Sequence, residues 1–130
     1  MHISIPLVIF DTSALLLMIL ERVRVLEQVY EILNSPYIPI VTIAIIKEME
    51  MILKWSGRGK VRRCINTVLN LIYTSFSIAD INDDADESIR KFVKKYGGIV
   101  VTCDLKLKRE LEEKNVQVIY FRESSRRMEL

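Results

Sequence analysis

The stretch Leu7-Val8-Ile9-Phe10-Asp11-Thr12-Ser13 is a short apolar run that stops on one aspartate. A second stretch, Ile99-Val100-Val101-Thr102-Cys103-Asp104, has the same design. Both runs are rich in β-branched residues and are bounded by breakers, Pro6 in one case and Gly97-Gly98 in the other, so they read as buried strands. In open α/β sheets, ligands bind beyond the carboxyl ends of the strands. Two strands that each deliver a carboxylate to that edge point to a metal site, with Asp11 and Asp104 as its first candidates.

Working outward, the chain alternates strands and helices. A helical stretch is expected from about Ser13 to Leu33, capped by Ser13 and carrying Val25, Leu26, Val29, Ile32 and Leu33 at helical spacing. A strand near Ile38–Val41 follows Pro36, and Thr42 caps a helix with Ile45, Ile46, Met49, Ile52 and Leu53. Gly57-Arg58-Gly59 breaks the chain before a helix from about Lys60 to Tyr73. Phe76–Ile78 is a weak strand, Asn82–Tyr96 a helix, Leu105–Lys114 a helix and Gln117–Phe121 a strand. This alternation argues for an α/β fold, a central parallel sheet of four to five strands with helices on both faces. Residues 1–122 are read as one domain, and 123–130 as a polar tail, loose at its end.

Composition narrows the function. At 130 residues, half of them hydrophobic, the chain suits a single domain with an ordinary core. Two cysteines, Cys64 and Cys103, make neither a disulfide scaffold nor a cysteine zinc site, and they read as small core residues in a reducing compartment. The one histidine, His2, is terminal, which argues against histidine-centred catalysis. Ala14–Leu20 offers seven apolar residues where a membrane span needs about 20. The start lacks the basic region of a signal peptide, so a cytoplasmic protein with no membrane partner is expected. The net charge of +2 is mild, but Lys54, Arg58, Lys60, Arg62 and Arg63 cluster with no acid among them and could contact RNA phosphates. Trp55 beside them is expected to pack at the core edge or in a subunit interface, with base stacking as the alternative.

Each carboxylate also has a plain structural reading. Asp11 and Asp104 could be turn or helix-cap residues. Ser13 and Thr102 offer hydroxyls beside them that could hold a metal-bound water or a phosphate. Glu48 and Glu50 flank the apolar stripe of one helix, and periodicity does not choose between them; Glu50 has Lys54 four residues on as a partner. Asp86 could pair in the same way with Arg90. Asp80, Asp83 and Asp84 stand at or before a helix start, where negative charge suits the helix dipole.

Taken in order, these motifs resemble the PIN-domain ribonucleases. Val8-Ile9-Phe10-Asp11-Thr12-Ser13-Ala14-Leu15 looks like that family's opening motif. Ile45-Ile46-Lys47-Glu48-Met49-Glu50 is similar to its second acidic motif and selects Glu48. Asp86-Glu87-Ser88-Ile89 matches the third, at Asp86. Val100-Val101-Thr102-Cys103-Asp104 looks like the fourth, with Cys103 where the family usually has asparagine. The likeness runs from Leu7 to about Phe121.

The resemblance implies an α/β/α PIN-like domain that hydrolyses RNA with Mg²⁺ or Mn²⁺, held by Asp11, Glu48, Asp86 and Asp104. The basic stretch and the ending Val118-Ile119-Tyr120-Phe121-Arg122 look closer to archaeal PIN proteins related to eukaryotic rRNA-processing endonucleases, with VapC-like toxins of toxin–antitoxin pairs second. The partners so implied are single-stranded RNA or structured rRNA, and an antitoxin or a ribosome-assembly factor. A homo-oligomer through Leu15–Leu20 is a further expectation. Two other classes compete. A PIN-like module could bind RNA or protein without cutting. A phosphotransfer receiver would want an aspartate at the end of its third strand and a lysine after its fifth, and Phe76-Ser77-Ile78 and Phe121-Arg122 supply neither.

Overall fold

The computed structural model describes residues 4–56 and 58–130, so His2 and the Gly57 of the expected chain break lie outside the described residues. Five strands, β1 (Leu7–Phe10), β2 (Ile38–Thr42), β3 (Ser77–Ala79), β4 (Ile99–Thr102) and β5 (Gln117–Arg122), form parallel ladders in the order β3-β2-β1-β4-β5. The expected sheet is thus present, and a sixth strand, β6 (Arg127–Glu129), adds antiparallel to β5.

The strands are short because they are nearly all core. Val8, Ile9, Phe10, Val100 and Val101 have no exposed surface. Such strands on a central parallel sheet are covered on both faces, which is why they read as continuous rather than alternating apolar runs. Gly98 lets β4 start there. Its φ is +105°, and a Cβ on it would sit 2.8 Å from the Leu7 carbonyl oxygen of β1. A side chain would push the two central strands apart.

The connections differ from expectation in two places. The helix expected from Ser13 to Leu33 is two helices, α1 (Thr12–Leu20) and α2 (Val25–Leu33), separated by 21–24 with Arg22 at φ +54°. An unbroken helix of that length would run about 30 Å, well past strands of about 15 Å. The break turns the chain back within the depth of the sheet, and the buried Val23 anchors it. Of the stretch expected to form an interface, Leu15 and Leu17 are buried in the chain's own core, while Leu16, Met18 and Ile19 are half-buried and Leu20 is exposed.

The second difference is the tail. Instead of being loose, it turns at 123–126 and returns as β6, with Met128 buried and its N–H donating to Gln28 Oε1 of α2 at 2.8 Å. The open hydrogen-bonding edge of β5 is the physical reason: its backbone groups need partners, and Phe121 pairs with Met128.

The remaining helices are α3 (Ile43–Ser56), α4 (Gly59–Ser75), α5 (Ala85–Tyr96) and α6 (Leu105–Glu113). Helix α5 starts later than the expected Asn82, because Asp84 caps it and 80–84 form an irregular connection with a bend at Asp83. Helices α1, α3 and α4 pack on one another, while α5 and α6 are joined by the Arg90–Glu110 pair. The chain winds from β1 through β2 to β3 on one side, then crosses to β4 and β5 on the other. The reversal falls between β1 and β4, where open α/β sheets place their sites.

Candidate active site

Asp11 lies just beyond β1. Its N–H donates to the Val101 carbonyl at 3.0 Å, which carries the β1–β4 ladder one residue further. The residue is buried and holds the N-cap position of α1, but its side chain makes no cap bond. Instead Oδ2 accepts from Thr102 Oγ1 at 2.7 Å and from Ser13 Oγ at 2.8 Å. Ser13 is therefore not the cap of its helix. It spans two elements, donating to Asp11 and accepting the Cys103 N–H at 3.0 Å. Thr102 Oγ1 accepts the Asp104 N–H at 3.0 Å in the same way. The two hydroxyls fix one oxygen of Asp11 and leave Oδ1 with no hydrogen-bond partner among the described residues.

Asp104 follows β4 on the other side of the reversal. Its Oδ1 accepts from the N–H groups of Lys106 and Leu107, at 2.9 and 3.2 Å, so the helix-cap reading is correct for that oxygen. Oδ2 takes no part in the cap. Cys103 is half-buried rather than a full core residue, and burial pushes its thiol up to about 11.

Glu48 lies in the second turn of α3 and Asp86 in the first turn of α5. Both border one open groove of about 520 Å³, together with Lys47, Met51, Asp83 and Asp84. The Glu48 side chain is exposed overall, but Oε2 accepts from Thr12 Oγ1 at 3.4 Å. Partial desolvation raises its pKa, and the charges of Asp11, Asp86 and Asp84 raise it further. Asp86 is raised by partial desolvation and by Asp11, with Arg90 opposing and Asp104 and Asp84 adding. The charge of Asp11 thus reaches both Glu48 and Asp86, and that of Asp104 reaches Asp86. Asp84 also belongs to this field, while its Oδ1 accepts the Asp86 N–H at 3.2 Å as the cap of α5.

The ion pairs divide the acids into two groups. Arg90 pairs with Glu87 and Glu110, Lys91 with Asp83, Lys108 with Glu112, Arg122 with Glu129, and Arg126 with Glu21. None of Asp11, Glu48, Asp86 and Asp104 has such a partner among the described residues. The alternative role for Asp86, a pair with Arg90, does not form, because Glu110 of α6 takes Arg90 through Nε and also through Nη2 at 3.0 Å. The expected Glu50–Lys54 pair is also absent among the described residues.

A hidden link joins the two helices that carry Glu48 and Asp86. The Ile45 N–H donates to Thr42 Oγ1 at 3.2 Å, capping α3 as expected. Thr42 Oγ1 lies 2.8 Å from Ser88 Oγ, and Ser88 Oγ donates to the Ala85 carbonyl at 2.6 Å. One consistent chain of donors results, with the Thr42 hydroxyl donating to Ser88. Both side chains are fully buried. Sequence reading assigned Ser88 no role; the available signal was a small hydroxyl on the apolar face with Ala85, Ile89 and Phe92.

Among the described residues, no three acids, cysteines or histidines stand close enough to enclose a metal by themselves. The donor set nevertheless suits a hard divalent cation. It is all oxygen, it has no competing ion pair among the described residues, and two of its members, Glu48 and Asp86, have raised pKa values. Mg²⁺ commonly keeps several waters and uses one or two carboxylates plus substrate phosphate oxygens, so an open arrangement fits.

Lys54, Arg58, Lys60, Arg62 and Arg63 are exposed on the last turn of α3 and the start of α4. Trp55 does not pack at the core edge; it is 76% exposed, with Lys54 Nζ 5.9 Å from its ring centroid.

A family model described as "PIN like domain" matches residues 8–124. The chain is 29% identical over 118 residues to Ribonuclease VapC9 of Archaeoglobus fulgidus, an alignment that covers 91% of this chain and 84% of that protein. Among solved structures it resembles the PIN domain endonuclease Utp24, with a TM-score of 0.72 and 16% identity over 94% of this chain and 88% of that one. It also resembles VapBC2 from Rickettsia felis, solved bound to a DNA fragment from its promoter, with a TM-score of 0.64 and 14% identity over 88% of this chain and 98% of that one.

Proposed function

Because the chain belongs to the PIN-like domain family, we propose that it is a metal-dependent endoribonuclease that hydrolyses RNA phosphodiester bonds at the edge where β1 and β4 diverge. One observation carries this reading: Glu48 of α3 feels the charges of Asp11 and Asp86, and Asp86 of α5 those of Asp11 and Asp104, yet none of the four is neutralised by an ion pair among the described residues. Folding gains nothing from such crowding, so a ligand that carries positive charge is the natural complement.

Asp11, held by Ser13 and Thr102, would supply the most rigid oxygen, Oδ1. The free Oδ2 of Asp104 would face it across the β1–β4 reversal. Glu48 and Asp86, facing the same groove from two helices, would orient the attacking water and further waters. When bound, Mg²⁺ or Mn²⁺ would neutralise phosphate charge and lower the pKa of a coordinated water. The only histidine is His2, and this chemistry needs no side-chain imidazole. Lys47 lines the groove and could meet a non-bridging phosphate oxygen.

The test is cleavage of a labelled, mostly single-stranded RNA. Cutting should need Mg²⁺ or Mn²⁺, stop with EDTA, and fall on the order of 100-fold or more in Asp11→Asn. Cutting that survives Asp11→Asn would sink the assignment.

Two biological settings fit. The likeness to Ribonuclease VapC9 supports a toxin with an antitoxin partner. The motif layout supports rRNA processing. We place the activity in the cytoplasm; no helix among the described residues is long and apolar enough to cross a membrane. A PIN-like module that binds without cutting is the remaining alternative, and the presence of all four carboxylates weighs against it.

A further inference from the structure

Helix α3 carries an exposed stripe that leads away from the carboxylates. Glu48, Met51 and Trp55 are spaced i, i+3, i+7, so they share one face. Glu48 and Met51 border the acidic groove. Met51 is 61% exposed and Trp55 76%. Seven residues of helix separate Glu48 from Trp55 by about 10 Å, a short step along an extended nucleic-acid strand. Beyond Trp55 the chain presents Arg58, Lys60, Arg62 and Arg63, with Lys54 beside the ring, and among the described residues none of these five is in an ion pair. Cations elsewhere are a mixture of paired and unpaired, so this group is set apart by five cations within ten residues and no acid among them.

We propose that Trp55 is a stacking platform for an unpaired base next to the scissile phosphate, and that the cations around it follow the backbone of single-stranded RNA out of the acidic groove. The proposal rests on the nuclease reading for the position of the scissile bond. A lone exposed aromatic among unpaired cations matches the way proteins hold single strands, with rings for bases and positive charge for phosphates. A protein partner would want a broad apolar patch, whereas here Lys54 lies over the ring and four further cations follow within eight residues of chain. Duplex RNA keeps its bases stacked within the helix, so it could not use the platform.

Trp55 is the only tryptophan in the chain, so its fluorescence reports on the site directly. The full chain is titrated with a short single-stranded oligouridylate in EDTA, with fluorescence and the anisotropy of a labelled oligonucleotide read together. The expected result is saturable quenching by the single strand and none by a duplex. Trp55→Ala should weaken binding about tenfold, while Trp55→Phe should retain most of it. Binding without any change in fluorescence, or equal affinity in Trp55→Ala, overturns the platform. A change in fluorescence on raising protein concentration without RNA also overturns it and assigns the ring to contact between copies.

Metal-dependent cleavage by the wild type, read in parallel, separates the two ideas. Cutting that is indifferent to Trp55→Ala leaves the nuclease reading standing alone. Quenching and Trp55-dependent binding without any cutting support the platform and remove the nuclease reading. If no RNA binds, the platform falls, and cleavage alone decides the nuclease reading.

Discussion

At the residue scale, the site depends on what holds each carboxylate still. Thr102 does two things at once: it donates to Asp11 and accepts the Asp104 N–H. Thr102→Val keeps the buried shape and removes both bonds. The expected cost is about 1–3 kcal/mol of stability, read by denaturant titration, and a 10–100-fold loss of cleavage with the fold retained. Full activity in that variant would mean that Asp11 needs no positioning. Titration offers a second check. Folded Glu48 and Asp86 keep protons at pH values where the unfolded chain, with its ordinary values of 4.5 and 3.8, has lost them. Folding then takes up protons, so their contribution to the stability of the metal-free protein declines as pH rises through that range and levels off above it. Paired acids such as Asp83 and Glu110 are shifted down and act in the opposite sense. The difference between wild type and the double variant Glu48→Gln, Asp86→Asn isolates the first effect. The double variant should be the more stable at neutral pH in EDTA, with its advantage shrinking toward acid pH; a thermal melt series checks it. Asp11 and Asp104 were legible in the sequence because each ends an apolar run. Arg90 was not, because Asp86, Glu87 and Glu110 all compete for it and only tertiary packing brings Glu110 within reach.

At the element scale, the link between α3 and α5 keeps Glu48 and Asp86 in register. Ser88→Ala would leave the buried Thr42 hydroxyl without an acceptor, at a cost of about 1–3 kcal/mol. If the link acts as a unit, Thr42→Val combined with Ser88→Ala will cost less than the sum of the two single changes. Additive costs in a double-mutant cycle would show that the two hydroxyls act separately. The sequence made most elements readable, since β1, β4 and β5 are bounded by glycine, proline or polar turns. The break between α1 and α2 was hidden, because Glu21-Arg22-Val23-Arg24 contains no glycine or proline. The break answers to the depth of the sheet, a property of the whole fold. Ser88 was hidden for a related reason, since its partner lies 46 residues away.

At the scale of the whole molecule, crowding of carboxylates should make the metal-free protein less stable than its core would allow. A cation that binds only the folded form at about 100 times its Kd should add about 2.7 kcal/mol. For a domain of this size, the melting temperature should rise by several degrees in Mn²⁺ or Mg²⁺. Asp11→Asn should lose most of that rise, and an unchanged melting temperature in wild type would speak against the site. The five-strand parallel layout was legible from the alternation of apolar runs and helical spacing. The sixth strand was not, since residues 123–130 are mostly polar and only Met128 enters the core. That strand has a consequence for handling the protein. Val118-Ile119-Tyr120-Phe121 is a segment of strong β propensity, and β6 occupies its outer row of amides. At the other border of the sheet, β3 spans only three residues and offers little to copy. With β6 in place neither border invites strand-by-strand growth into aggregates, so three residues at the end of an apparently featureless tail act as the guard on solubility.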